Sequence, residues 1–368
     1  MILITSVDEY LGYCITAHLS SISSIRPYLR VVYSKERQKY SYKKTTVIQK
    51  SPWLLTFASK GIDVREVDYM HPNDMSHAMR NVDQIILSLD SYPNRVERCK
   101  YICEVAVRSH VRSIIFLSHV GATTTLMEDE NGGYQALSDY GRIENHLVQL
   151  QEEGEKDMPH CTILRLDWLQ QHFHLWSFQT EATRTIALPL FEDVKICPID
   201  ISDVCQVIFR LVTDDNGNIL TDLKDSHSGQ VYILAGPCAM TVRDIVGYLK
   251  EATEYQNFGL KDKTITQSID TGHYLKHLSQ NLRFDKRLKM DRIKAYQDNL
   301  DGRLAYRNYI LWSPTDLQIQ TYLDYFDCVN KTSASVDTNT IEFLLRGYAP
   351  RTLRNFFFEN AISFKPRV

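Results

Sequence analysis

Glycine is scarce in this chain, with 15 among 368 residues. Proteins that cradle nucleotide phosphates on their backbone place glycines in the loop that does so. The shortage therefore counts against a fully glycine-built phosphate loop. An excess of one charge is lacking as well. The formal net charge is −3, which gives no global pull toward nucleic acid or a membrane surface. No run of about 18 apolar residues occurs, the length a membrane-spanning helix needs. Apolar residues start at Ile2 with no charged leader before them, so no secretory signal is expected. The 8 cysteines, at 14, 99, 103, 161, 197, 205, 238 and 328, form no CxxC pair. Cys14, Cys161 and Cys205 sit inside apolar runs, where cysteine behaves as a small hydrophobe. Reduced thiols in an intracellular protein are the expectation. Cys99 and Cys103, four apart, are expected to share the packed face of a helix.

What the chain does contain is an alternation of strands and helices. Ile2 to Thr5 is apolar without polar alternation, as a strand buried on both faces should be. Leu11, Cys14, Ile15, His18, Leu19 and Ile22 then recur at helical spacing, and a β-rich run follows at Leu29 to Tyr33. Further strands are expected at Ile62 to Val67, Val82 to Leu89, Val111 to Ser118 and Cys161 to Leu166. Helices are expected after Ser51-Pro52, after His71-Pro72, through Val96 to Val105, and from Asp139 to Gln151. This rhythm predicts an α/β doubly wound parallel sheet of the Rossmann-like kind. Residues 1–170 would form that domain. Residues 171–368 would form a smaller, mixed C-terminal subdomain, with 199–255 partly returning to the first. A capped helix is expected over Ile199 to Val212 with Asp200 and Ser202 at its start, a late strand at Val231 to Ala235, and a helix capped by Thr241. Residues 256–285 read as polar loop, and helices are expected from there to Phe364.

The order of segments resembles the NmrA-like family, atypical relatives of the short-chain dehydrogenases and reductases. The resemblance rests on ILIT with a loop and Gly12, on GIDVREVDYMHPNDMSHAMRNVDQIILSL at 61–89, and on IIFLSHVGA at 114–122. YGRIENHL at 140–147, TILRLDWL at 162–169, PIDISDV at 198–204, YILAGP at 232–237 and IEFLLRGYAPRTLRNFFFENAISF at 341–364 extend it. It covers most of the chain apart from about 256–335. It implies an NAD(P)-binding Rossmann domain with a ligand cleft against the C-terminal subdomain. Relatives include redox-sensing regulators and reductases.

The phosphate loop needs glycine for a tight turn, for backbone approach to the pyrophosphate, and for helix–strand packing. The matching positions hold Ser6, Glu9 and Gly12. Gly12 keeps the packing role and Ser6 is small. Glu9 sets bulk and negative charge beside the pyrophosphate site, or serves as a helix-stabilising acid that takes the anion site itself. Binding of NADP or NAD is therefore expected to be weak or absent. Tyr10 and Leu11 beside this loop, and Ser88 and Leu89 at the end of the fourth strand, complete the expected cofactor contacts. Lys35 and Arg37, after the second strand, favour NADP if a dinucleotide binds, and otherwise form a solvated basic turn. Asp68 matches the position that faces adenine, and equally suits a strand-end turn.

In the parent superfamily the proton donor is a tyrosine with a lysine four residues later. Here Tyr140 falls at the lysine position and Ala136 at the tyrosine position. Tyr40 and Lys44 have the right spacing in the wrong place. Ser118 survives at the end of the fifth strand, expected as a structural residue. His172-Phe173-His174 would present two imidazoles on one strand face, one ligand short of a metal site. No metal is expected. At the C-terminus, Leu353, Phe356, Phe357 and Ile362 fit one packed helix face, with the arginines, Arg351 among them, on the solvent side. That arrangement gives no strong nucleic-acid signal. The sequence reading is a non-catalytic NAD(P)-binding-type regulator or sensor, a cytosolic or nuclear pseudoenzyme working through a protein partner. An NADP-dependent oxidoreductase with a non-standard proton donor, with Tyr140 and Ser118 as candidates, is the alternative. A cofactor-free structural protein is the third.

Overall fold

A computed structural model of the chain describes residues 1–35, 52–124, 135–152, 158–257, 259–260, 268–284, 305–308, 313–332 and 339–366. Its first half alternates β1 (Ile2–Ile4), α1 (Tyr10–Ser21), β2 (Leu29–Ser34), α2 (Pro52–Ser59), β3 (Asp63–Val67), α3 (Pro72–Met79), β4 (Gln84–Leu87), α4 (Arg95–Arg108), β5 (Ser113–His119), α5 (Gln135–Glu152) and β6 (His160–Leu166). Beyond these lie α6 (Ser177–Thr183), β7 (Thr185–Ile186), α7 (Ile201–Val212), β8 (Val231–Leu234), α8 (Val242–Thr253) and β9 (Gly259–Leu260). The chain continues with α9 (Ser268–Phe284), α10 (Asp316–Thr332), α11 (Asn339–Leu345), α12 (Leu353–Glu359) and α13 (Ala361–Phe364).

Seven strands form one sheet in the order β3-β2-β1-β4-β5-β6-β8, every pair parallel. The order reverses between β1 and β4, which is where such sheets open a crevice at the carboxyl ends of their strands. Both faces are covered, which explains the unbroken apolar runs. Ile2 and Ile4 pack toward α1 and α7 with Ile86, Ile115, Val204 and Ile208. Leu3, between them, packs on the other face with Ile85, Ile114, Phe116 and the helices α4 and α5. β7 and β9 make a separate two-stranded pair. No helix among the described residues is long and apolar enough to cross a membrane.

Four sequence expectations are corrected here. The stretch read as loop at 256–285 contains α9, whose Leu275, Leu278 and Leu282 recur at helical spacing and are buried. The polar residues between them masked the period. His172-Phe173-His174 lies on a 3-10 helix, Gln170–Trp176, not a strand. The last helix is broken at Asn360, whose side chain donates to the Phe356 carbonyl oxygen. The break resets the register, so Phe364 is buried and Ile362 is 92% exposed. Arg351 is not on the solvent side. It is buried and donates to Asp200 at 2.5 Å, the N-cap of α7, while its own N–H donates to Asp203 at 2.8 Å. Cys99 and Cys103 do share a buried face, their sulfurs 3.9 Å apart.

Candidate functional site

The crevice between β1 and β4 begins at Thr5 and Ser6. The Thr5 hydroxyl donates to the Ser88 carbonyl oxygen at 3.0 Å, and the Ser88 N–H donates back to it at 2.8 Å. Ser6 has φ +54°, the left-handed conformation that glycine adopts without cost. Its hydroxyl donates to the same Ser88 oxygen at 2.6 Å, and its N–H donates to the Tyr69 phenol oxygen at 2.8 Å. Ser6 thus makes the tight turn of the first glycine, held in place by hydrogen bonds. Gly12 keeps the packing role. A Cβ there would stand 2.3 Å from the Ser6 carbonyl oxygen and 2.6 Å from that of Thr5.

Glu9 stands at the N-cap of α1 in extended conformation, yet its side chain makes no capping bond. The buried carboxylate instead accepts the Ser91 hydroxyl, and the Ser91 N–H approaches it at 3.4 Å. Ser91 follows β4, so this contact bridges the crevice at the helix N-terminus, where a pyrophosphate sits in this class of sheet. Lys35, past the end of β2, donates to Asp74 at 2.5 Å. The same Asp74 oxygen accepts the Asp68 N–H at 3.0 Å. Asp68 accepts the Met70 N–H at 2.9 Å, which is the turn role. Arg37, and the Tyr40 and Lys44 pair, lie outside the described residues.

Next to the crevice is a cavity of about 230 Å³. It gathers Glu9, Tyr10, Leu11, Ser118 and Tyr140 from the sequence candidates. Lys35, Asp68, Ser88 and Leu89 do not line it. Tyr140 donates to Asp90 at 3.0 Å, and the Arg95 guanidinium lies 4.4 Å over its ring. Burial first, and then Asp90, push its phenol well above the usual range. A phenol so held is a poor proton donor. Ser118 donates to Glu144, which Arg165 grips through Nε at 3.1 Å and Nη2 at 2.6 Å. Ala136, at the expected tyrosine position, is buried, and its N–H donates to Asp324 at 3.1 Å.

The cavity also holds groups that belong to none of the sequence motifs: His119 at the end of β5, Asp167 one residue past β6, and Asp90 and Tyr322. His172, a candidate from the sequence, lines it too. Burial pushes Asp167 up to about 6, although Tyr325, the Trp168 N–H at 2.7 Å and the Cys197 N–H at 3.1 Å all donate to it. Burial and Arg95 push His119 down to about 4. Burial pushes His172 down to about 3, and its Nε2 pairs with the Tyr322 hydroxyl at 3.2 Å. Both imidazoles are therefore neutral near pH 7, and the Nδ1 of each is buried without a hydrogen-bond partner among the described residues. His119 and Asp167 follow the carboxyl ends of parallel strands, the position where such sheets place ligand contacts. That rule would have marked them in the sequence. Tyr322 comes from a distant helix and carries no local signal. His174 points elsewhere and stacks on Phe364 with ring centroids 5.3 Å apart. Among the described residues no three His, Cys, Asp or Glu side chains are placed to hold a metal ion.

Residues 39–215 match the family model described as NAD(P)H-binding. The whole chain is similar in structure to a nucleoside-diphosphate-sugar epimerase from Staphylococcus aureus, at 14% identity, 97% of this chain and 99% of that one covered, and a TM-score of 0.63. It is similar to a triphenylmethane reductase of Citrobacter sp. complexed with NADP(H), at 12% identity, 98% and 99% covered, and a TM-score of 0.65. It is similar also to an NADPH-dependent quinone oxidoreductase of Escherichia coli complexed with NADPH, at 16% identity, 98% and 99% covered, and a TM-score of 0.61. The fold is that of NAD(P)-dependent reductases and epimerases. Among curated proteins none matches the sequence. Within this reductase and epimerase fold, the turn at Ser6 and the close approach at Gly12 fit a dinucleotide backbone. The Glu9 carboxylate across the crevice does not fit a dianionic pyrophosphate.

Proposed function

We propose that this protein is a non-catalytic regulator or sensor built on the NAD(P)-reductase fold, acting through a protein partner and holding NADP or NAD weakly. The observation that carries the reading is the Glu9 carboxylate bound to Ser91 across the crevice. An ionised carboxylate and a pyrophosphate at one helix N-terminus repel each other, and the site must lose the Ser91 contact to admit the ligand. The engagement of Ser118 by Glu144, and the raised phenol of Tyr140, add support for a lost reductase chemistry. The motif order supports an NmrA-like branch, and a cytosolic or nuclear setting belongs to the same proposal.

A second reading, an NADP-dependent reductase with a non-standard proton donor, is favoured by one feature. Asp167 sits in the cavity with its carboxyl pushed up to about 6, near enough to neutrality to carry a proton. Calorimetric titration of the purified protein with NADPH tests the first reading, and sub-micromolar binding overturns it. Steady-state NADPH oxidation with quinones and aldehydes tests the second. Turnover that vanishes in Asp167→Asn or Tyr140→Phe would establish an enzyme.

A further inference from the structure

A second cavity, of about 190 Å³, lies at the other end of the sheet. Val207, Arg210 and Leu211 of α7 form one wall, Phe343, Leu344 and Arg346 at the end of α11 another, and Ser226 with His227 the third. The segment from α7 to β8 that carries Ser226 and His227 passes the starting ends of the strands. Gln84, which opens β4, donates to the Leu220 carbonyl oxygen at 2.9 Å, and His160, which opens β6, meets Asp222. This cavity is thus remote from the crevice beside Ser6.

Its charge is unusual. Arg210 is half-buried, its Nε is buried without an acceptor, and it has no acidic partner among the described residues. The guanidinium lies 5.8 Å over the Phe209 ring, and with no carboxylate among the described residues to hold it, it is available to an anion entering the pocket. Arg346 and Lys224 share a single carboxylate, Asp215. Arg210 and Arg346 line the pocket, and no carboxylate is among its lining residues. His227 registers that field, since burial and then Arg346 and Lys224 push its imidazole down. Arg346 itself is held at φ +51°, followed by Gly347 at +83°. The remaining walls are apolar, with Val207, Leu211 and Leu344 buried and Phe343 70% exposed at the rim.

We propose that this pocket binds a small organic anion, a phosphate or carboxylate on an apolar stem, with Arg210 and Arg346 taking the anion. Planar guanidinium groups donate pairs of parallel N–H bonds to either oxyanion. Leu211, Leu344 and Phe343 cover the stem, and a single ring suits the volume. Asp215 gives up part of its hold on Arg346 when the anion enters and keeps Lys224.

The test uses the full chain and four probes in calorimetric titrations: phenyl phosphate, benzoate, inorganic phosphate and phenol. Phenyl phosphate or benzoate should bind about tenfold or more tightly than inorganic phosphate, and phenol should not bind. The tighter of the two aryl anions identifies the headgroup. Arg210→Gln should weaken that binding by about tenfold or more while the melting temperature changes little, because no ion pair is lost. Arg346→Gln should weaken it as well. The proposal fails if no anion binds, if inorganic phosphate binds as tightly as phenyl phosphate, if phenol binds equally, or if neither variant changes the affinity.

Discussion

Glu9 and Ser91 meet across the crevice between β1 and β4, the Ser91 hydroxyl donating to the Glu9 carboxylate. The contact joins the phosphate-loop position of one half of the sheet to the strand exit of the other, at the one place where the strand order reverses. A glycine at position 9 would leave this space to a ligand. With glutamate, the protein fills it from its own chain.

Replacing Glu9 with glycine should therefore tighten NADPH binding by about tenfold or more, as a repulsive charge and a contact to be displaced both disappear. The fold should lose only about 1 kcal/mol, the worth of an ordinary hydrogen bond. Calorimetry on the two proteins side by side checks both figures. Unchanged affinity would mean that Glu9 is not the obstacle.

Gly12 and Ser6 should differ in how much small changes cost. Gly12→Ala puts a methyl 2.3 Å from a backbone oxygen that cannot move without shifting β1 and α1. A loss of about 3 kcal/mol is expected in chemical denaturation. Ser6→Gly relieves a left-handed serine, roughly 1 kcal/mol, and forfeits the hydroxyl bond to Ser88, also roughly 1 kcal/mol, so it should be nearly neutral. Ser6→Ala keeps the strain and loses the bond, and should cost about 1 kcal/mol.

Arg351 ties the C-terminal segment to the core through Asp200, Asp203 and Glu359, and its carbonyl oxygen accepts Gln170 at 3.0 Å. Arg351→Met strands the Asp200 carboxylate in a buried site. The expected cost is about 3 to 5 kcal/mol. Hydrogen exchange should show α12 and α13 opening first, and uniform exchange across the chain would count against this role.

Buried imidazoles set the acid limb of stability. Burial pushes His18, His119 and His174 down to about 4 and His172 to about 3, from an ordinary 6.5. The unfolded chain therefore takes up protons first, and the contribution of each is complete above pH 6.5 and lost as pH falls toward 4. Asp167 and Asp203, pushed up by burial to about 6 and about 7, work in the other direction. Their folded forms hold protons more tightly, so their contribution is lost as pH rises through those values. His227 is pushed down as well and Asp324 up, so among the described residues five imidazoles against three carboxylates give net weakening below pH 6.5. His174→Phe removes one imidazole from an aromatic nest beside Phe356 and Phe364. Relative to the wild type, it should gain about 2 kcal/mol at pH 5 compared with pH 7.5 in urea titrations. An equal effect at both values would refute the linkage.

The alternation of apolar runs with helical spacing fixed the doubly wound sheet, because residues buried on both faces of a parallel strand need no partner in sequence to be recognised. Gly12 was legible for a similar reason, as its role is local to one strand and one helix. The helix at α9 was not, because its buried leucines are separated by polar residues that face out. The end of the chain was misread where one asparagine resets the helix register and moves Ile362 out and Phe364 in.

The sequence by itself determined that serine and glutamate stand in the loop after the first strand, and that no tyrosine with a lysine four residues later occurs in the fifth helix. Only the tertiary structure decided what those substitutions do. Ser6 turns as glycine would because Ser88 and Tyr69 hold it, and Glu9 faces Ser91 because β4 lies beside β1. The cluster of His119, Asp167 and His172 likewise exists only where separate connections meet at the carboxyl end of the sheet. Such groups acquire their properties from burial and from neighbours far away in sequence, and neither is encoded locally.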